Sequence, residues 1–409
     1  MRHALLALGA ALAFAPGLAW AVPAGDFDIS PATGWAYGTS LLIISAPGAY
    51  TIKMNGVSST ATNTIFVDGA GGTFDITLDN VSIDQSAGAN PGFNIAPGSS
   101  ITVNLTLVGA NTLKGGTSSP GLDVATGATL KIDGAGSLTA FGGGNGGAGI
   151  GGYYDQDGGN ITIGGNASVT AQGGSRAAGI GGASGGAGGS VTITGAASVT
   201  ATGGNAAFTY GGGAGIGSGG TDAAAPLAAG TITIDTTGTV SATGGNDNPV
   251  AGGGGAGANI GEGGYGNHGD GAGLSSLTPA SNASATVGGS ATFTCSATLA
   301  AGGGILDWDW TLSGSAGSFS SANPLTVSPV TAAMSGNQYR CEAYVTGVGA
   351  GSHISYYSHP ATLTVAGATT ATAVPTLNPA TLAALVLALL GLAGLGWKRR
   401  VYSISISER

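Results

Sequence analysis

Along the middle of the chain, pairs of short alternating stretches recur. Leu130-Lys131-Ile132 precedes Ser137-Leu138-Thr139-Ala140, and Ile161-Thr162-Ile163 precedes Ser168-Val169-Thr170-Ala171. Val191-Thr192-Ile193 and Ile232-Thr233-Ile234 have the same followers, Ser198-Val199-Thr200-Ala201 and Thr239-Val240-Ser241-Ala242. A two-residue alternation is the period of a half-buried strand. After each pair comes a third apolar point set in glycine. These are Ala148-Gly149-Ile150-Gly151, Ala178-Gly179-Ile180-Gly181, Ala214-Gly215-Ile216-Gly217 and the weaker Ala258-Asn259-Ile260-Gly261. The step is 30 residues from Ile150 to Ile180, then 36 to Ile216 and 44 to Ile260. A repeat step that tolerates insertions describes a solenoid. Three strands per repeat predict one turn of a right-handed parallel β-helix. Antiparallel hairpins rank second, because they give no reason for a third segment.

The alternation begins earlier, in Phe74-Asp75-Ile76-Thr77-Leu78 and in the run from Ile101 to Leu107. Pro91-Gly92-Phe93-Asn94-Ile95 matches Pro120-Gly121-Leu122-Asp123-Val124 at a step of 29, and the same step predicts Ile101 beside Leu130 and Val103 beside Ile132. Residues 22–273 are therefore read as the β-helix. Its last tract, 251–273, is so rich in glycine that the final turn is expected to fray. From Leu274 glycine thins and a different strand texture begins.

Composition agrees with tightly stacked strands. Glycine supplies 82 of 409 residues without a collagen period, charged residues are 7% and hydrophobic ones 42%, the reverse of a disordered chain. Between Val22 and Ala373 five bases stand against 18 acids. A nucleic-acid partner is excluded, because there is no basic footprint.

The two ends read as targeting devices. Residues 1–21 form a secretory signal peptide, with an apolar run from Ala4 and Ala19-Trp20-Ala21 as the cleavage signal before Val22. Ala380 to Trp397 is an uncharged stretch of 18 residues followed by Lys398, Arg399 and Arg400, long enough for a transmembrane helix with its basic side in the cytoplasm. Val374-Pro375-Thr376-Leu377 precedes it. A short proline motif, an apolar helix and a basic cluster together resemble the IPTL-type C-terminal sorting domain of Gram-negative bacteria, a relative of PEP-type exosortase signals. The resemblance covers residues 374–400. It implies the inner membrane and an exosortase-like sorting protease as partners, and the cell surface or exterior as destination. An ordinary single-span anchor is the alternative. Residues 367–373 are a linker and 401–409 a short tail. The glycine-rich repeats are also similar to the β-helical regions of bacterial surface and carbohydrate-binding proteins.

Both cysteines fall in residues 274–366. Cys295 ends the strand signal Thr292-Phe293-Thr294-Cys295; Trp308 and Trp310 follow on one face of an alternating run, and Tyr339 precedes Cys341 by two. This order resembles an immunoglobulin-like β-sandwich. The resemblance implies that Cys295 and Cys341 form a disulfide across the sheets, with Trp308 or Trp310 packed on it and Tyr339 at the corner. Export permits that oxidation.

Catalytic chemistry is sparse. Asp155 and Asp157 form the one close acidic pair within the repeats, in the loop Tyr153-Tyr154-Asp155-Gln156-Asp157-Gly158-Gly159-Asn160. Three readings stand: a fragment of a calcium loop, a sugar site with Tyr153 and Tyr154 stacking while the acids and Asn160 bind hydroxyls, or a solvated turn. Gly147-x-Gly149-x-x-Gly152 matches a dinucleotide fingerprint formally but is explained by the repeat. His353 and His359 flank Tyr356-Tyr357 and are read as strand-edge residues before metal ligands. No cofactor and no resident metal are expected. The chain reads as a non-enzymatic, exported structural or adhesive protein, with glycans or matrix polysaccharide as ligand. The alternative is a β-helical polysaccharide lyase or hydrolase.

Overall fold

The computed structural model describes residues 22–367, apart from 57–59, 70, 99, 314–317, 347 and 350–351. The described chain is nearly all β, with large parallel sheets. Its sole helical turn is the 3-10 segment Ala332–Met334. Among the described residues no helix is long and apolar enough to cross a membrane. The signal peptide, the Val374 to Leu377 motif, the apolar stretch and the basic cluster lie outside the described residues.

Each repeat makes one circuit through three sheets. Thr129–Gly134, Asn160–Ile163, Ser190–Gly195 and Thr231–Thr236 lie side by side and parallel in the first. Ser137–Phe141, Ser168–Gln172, Ser198–Thr202 and Val240–Thr243 do so in the second. Ile150–Gly151, Ile180–Gly181, Ile216–Gly217 and Ile260–Gly261 form the third. The pairing is parallel throughout, so the hairpin alternative fails. Alternation then turns one face of each sheet inward. Ile161 and Ile163, Val169 and Ala171, and Ile180 are all buried in one continuous core with their equivalents above and below. The widening steps are absorbed at the corners, and the core column of Ile150, Ile180, Ile216 and Ile260 stays in register.

One register differs from the reading above. Val103 pairs with Leu130 and Leu105 with Ile132, a step of 27, while Phe93 does pair with Leu122 at 29. From Ile95 to Val103 the chain advances eight residues, and between their partners Val124 and Leu130 it advances six. A slip of two keeps every side chain on its own face, so hydrophobic alternation alone does not detect it.

The glycines are needed for close approach. A Cβ on Gly143 would lie 1.6 Å from the carbonyl oxygen of Gly116, one on Gly174 would lie 1.8 Å from that of Gly143, and one on Gly204 would lie 1.7 Å from that of Gly174. In the third sheet Gly151, Gly181 and Gly217 adopt φ of 138°, 129° and 139°, where a side chain is strained. These corners are themselves hydrogen bonded from rung to rung, as in Gly174 N–H to Gly147 O (2.9 Å) and Gly204 N–H to Ala177 O (2.8 Å). The expected fraying of 251–273 is not what is found. Ile260–Gly261 continues the third sheet, Gly264 N–H donates to Gly212 O of the neighbouring rung, and Gly257 N–H donates to Gly245 O within its own.

Two of the three sheets are continued at each end of the stack, while the second ends on Ser82–Asp84 and Val240–Thr243. Antiparallel pairs, Val22–Ala24 with Phe27–Ser30 and Trp35–Tyr37 with Leu41–Ile44, close the first end. At the other, Gly273–Thr278 pairs antiparallel with Ile260–Gly261. His353–Tyr357, from the region after Leu274, adds parallel to Thr231–Thr236. The first sheet thus runs without a break from the repeats into the C-terminal strands, and Val345 and Ile354 belong to the repeat core. A bare sheet edge offers unpaired N–H and C=O groups to other chains, and this arrangement removes two such edges.

Cys295 and Cys341 form a disulfide with Cα atoms 6.6 Å apart. Trp310 is the cross-strand partner of Cys341, fully buried, and shares a second core with Phe293 and Tyr339; Trp308 is only partly buried against it. The 292–295 strand is broken. Ala291–Phe293 pairs with Leu325–Val327, whereas Ser296–Leu299 joins the third repeat sheet through Gly273–Thr278. Cys295 sits in the break, where the Asn323 side chain accepts from its N–H (3.2 Å) and donates to its carbonyl (2.8 Å).

The carbonyl that fills each missing Cβ position yields a paired test. Gly174→Ala is expected to destabilise by about 3 kcal/mol or more, because backbone must move. Gly144→Ala, where nothing lies within 4 Å, should stay within about 0.5 kcal/mol of the parent. Urea unfolding followed by circular dichroism reads both, and equal midpoints for the two variants would contradict the close-approach account.

Candidate functional site

The loop from Tyr153 to Asn160 leaves the third sheet after Gly151 and re-enters the first at Asn160. No helix follows Gly152, so the dinucleotide-like glycines turn a corner. The loop is braced against its neighbours. Asp155 takes φ 57° and donates its N–H to Ser184 O at 2.9 Å. The Asp157 carboxylate accepts the Ala187 N–H at 2.7 Å. The Tyr153 hydroxyl donates to Ala89 O at 3.4 Å, reaching back across earlier rungs. Asn160 is the exposed first residue of a strand, opposite Thr129 and Ser190. The loop therefore divides: Asp157 holds the next rung, Asn160 belongs to a sheet, and Tyr154 and Asp155 face a different neighbour. No group of three or more His, Cys, Asp or Glu able to hold a metal ion occurs among the described residues.

That neighbour is Arg176, the only Lys or Arg between positions 132 and 339. Its guanidinium lies 4.7 Å from the centre of the Tyr210 ring and 5.9 Å from that of Tyr154, close enough for cation–π attraction to both. Its Nη2 donates to Asn145 O at 3.5 Å, and its Nε is buried without a partner. Desolvation first, then the charges of Asp222 and Asp155 and a hydrogen bond to Asp222, push the Tyr210 hydroxyl up. The fold thus brings together Tyr154, Asp155, Arg176, Tyr210 and Asp222 from three rungs. Sequence reasoning singled out Tyr154 and Asp155 and passed over Arg176 as an isolated cation. The first widened step did mark the inserted loop Asn205 to Tyr210 as a place for specificity, but not its meeting with Arg176.

A second polar cluster joins the repeats to the C-terminal strands. Arg340 pairs with Asp235, donates from Nε to Ser358 O at 3.2 Å and lies 5.2 Å from the Tyr357 ring centre. Burial, then the charge of Glu342, pushes Tyr357 up to about 12. A cavity of about 320 Å³ lies beside Arg340 and His359. His359 meets Gly238 O at 3.4 Å and His353 meets the Ser355 hydroxyl at 3.1 Å, so each histidine has its own local partner. Glu262 accepts N–H groups from Gly349 and Ala272, and burial pushes its carboxyl up.

Asp123 is the most perturbed group and was not singled out beforehand. It stands between Asn94 and Gly151 on the third sheet, is 6% exposed, and its Oδ1 has no partner. Desolvation raises its carboxyl to about 7, from about 3.9 in an open chain. The unfolded chain therefore releases this proton first. Stability should fall as pH rises from about 4 to about 7, by about 4 kcal/mol for this group, and then level off. Asp123→Asn should flatten that part of a urea-unfolding profile against pH, with the same-signed slope of Glu262 remaining. An unchanged profile would contradict the assignment.

The chain matches no protein-family model, no curated protein and no solved structure.

Proposed function

We propose that this is an exported structural and adhesive protein of a bacterial cell envelope or extracellular matrix. Its repeats form a right-handed parallel β-helix, its C-terminal strands an immunoglobulin-like sandwich that ends the rod, and its tail a sorting signal with a transmembrane helix. One observation carries the reading. The parallel stack is locked rung to rung by backbone contacts, two of its three sheets are continued by further strands at each end, and the C-terminal strands that extend it carry a disulfide. Such a rod holds its shape without a ligand, and the disulfide suits an oxidising compartment outside the cytoplasm. The acidic balance, five bases against 18 acids over residues 22–373, favours solubility and disfavours nucleic acid. The loop face around Arg176 supplies aromatic rings and hydrogen-bonding groups, which supports glycan binding as the adhesive chemistry.

Mass spectrometry of the protein recovered from its cells tests the address. Loss of residues 1–21 together with everything after about Leu377 is the expected result. A chain found in the cytoplasm with its N-terminus intact would overturn the proposal. Release of reducing ends from a polysaccharide, abolished by Asp155→Ala with Asp157→Ala, would replace the adhesive reading with an enzymatic one.

A further inference from the structure

Beside Arg176 a groove of about 460 Å³ crosses three consecutive rungs. Its floor is glycine backbone, and its polar lining is Gln172, Ser175, Thr202 and Asn205. None of the residues lining it is charged. Neighbouring rungs are about 4.8 Å apart, so the groove offers hydroxyl and amide groups at a regular short spacing along its length.

Six non-glycine residues take positive φ among the described residues, and two of them are bulky and unusual there: Arg176 at 67° and Phe208 at 56°. Both stand in corners that also contain glycines, a residue that would adopt that φ without strain. A side chain kept at such a position is kept for what it does. Arg176 is held between two tyrosine rings. Phe208 is 81% exposed, so its ring contributes little to the core. Its backbone is nevertheless well fixed, its carbonyl accepting from the Asn248 side chain at 2.9 Å and the Gly254 N–H at 3.2 Å. Asn205 and Ala206, on the same loop, line the groove. An exposed aromatic ring two residues along the chain from the groove edge at Ala206, together with the groove's uncharged hydrogen-bonding groups, suits a ligand with one apolar face and many hydroxyls.

We propose that this groove binds a neutral polysaccharide chain laid across the rungs, with the Phe208 ring stacked on a sugar face and Gln172, Ser175, Thr202 and Asn205 binding hydroxyls. The inference rests on the adhesive reading above and makes it specific. Charge argues for a neutral ligand over an acidic one. No charged side chain lines the groove to pair with an anion, and the protein as a whole is acidic, so an anionic polymer meets repulsion.

Affinity electrophoresis of the full chain, purified in a polyether detergent, tests this on gels containing dextran, mixed-linkage β-glucan or polygalacturonate. Retardation is expected on at least one neutral polymer and not on polygalacturonate. Phe208→Ala should weaken it at least tenfold with an unchanged circular dichroism spectrum, Phe208→Trp should retain it, and Gln172→Ala should weaken it less. Retardation by polygalacturonate alone, by no polymer, or equally with and without the Phe208 ring would overturn the groove assignment. A negative result here together with processing of both termini in cells would leave the envelope scaffold standing, so the two readings fail separately.

Discussion

A carbonyl oxygen from the rung below occupies the place where Gly143, Gly174 and Gly204 would carry a Cβ. The rest of the molecule depends on that contact. Parallel strands repeat at about 4.8 Å, and corners that follow the same spacing must pack backbone on backbone. Only glycine permits this. The gain is that corner N–H and C=O groups find partners on the next rung, so segments that would otherwise need water are satisfied internally. The requirement also explains a chain with 82 glycines and 7% charge that is nevertheless regular.

Once glycine turns the corners, side chains there become informative. The core uses mostly Ile, Val, Leu and Ala on three inward faces, with Phe27, Tyr50, Phe74 and Phe93 toward the first end. Polar side chains near the core brace neighbouring rungs, as when Asn111 accepts the Val81 N–H and donates to the carbonyls of Val108 and Ser137. Lys114 pairs with Asp84, its neighbour on the adjacent rung, and that hydrogen bond, with those from Ser86, holds Asp84 at about 2. Against this background Arg176, Phe208 and Tyr210 stand out, since they brace little and gather on one face. Asp123 stands out for the opposite reason, a buried carboxyl at the point where the third-sheet position passes from Asn94 and Asp123 to glycine.

The C-terminal strands show how an open stack is ended. They do not hang from the repeats as a separate bead. His353–Tyr357 continues the first sheet, Gly273–Thr278 continues the third, and Arg340 crosses to Asp235. Glu262 holds the Gly349 backbone across the same boundary. The chain changes allegiance at Cys295, with Asn323 standing in for a strand partner. A disulfide at that point ties the sandwich-like core to the place where the strand leaves for the repeat sheets.

Much was legible in the sequence because two periods are intrinsic to it. The alternation of Ile161-Thr162-Ile163 and the 30-residue step determined strand type, inward faces and the three-sheet circuit, and the resemblance carried by Cys295, Trp308, Trp310, Tyr339 and Cys341 implied the bridge while leaving open which Trp packs on it. What alternation leaves degenerate, only the tertiary structure decided. The two-residue slip of Val103 onto Leu130 preserves every face, and the break at Cys295 depends on which sheet captures each half of the strand. The joining of Tyr154, Arg176 and Tyr210 depends on how inserted corners stack, and Asp123 is raised only by what covers it. Patterns along one chain encode which side of a strand is dry; which strand lies beside which, and what that buries, is set by contacts between residues far apart in sequence.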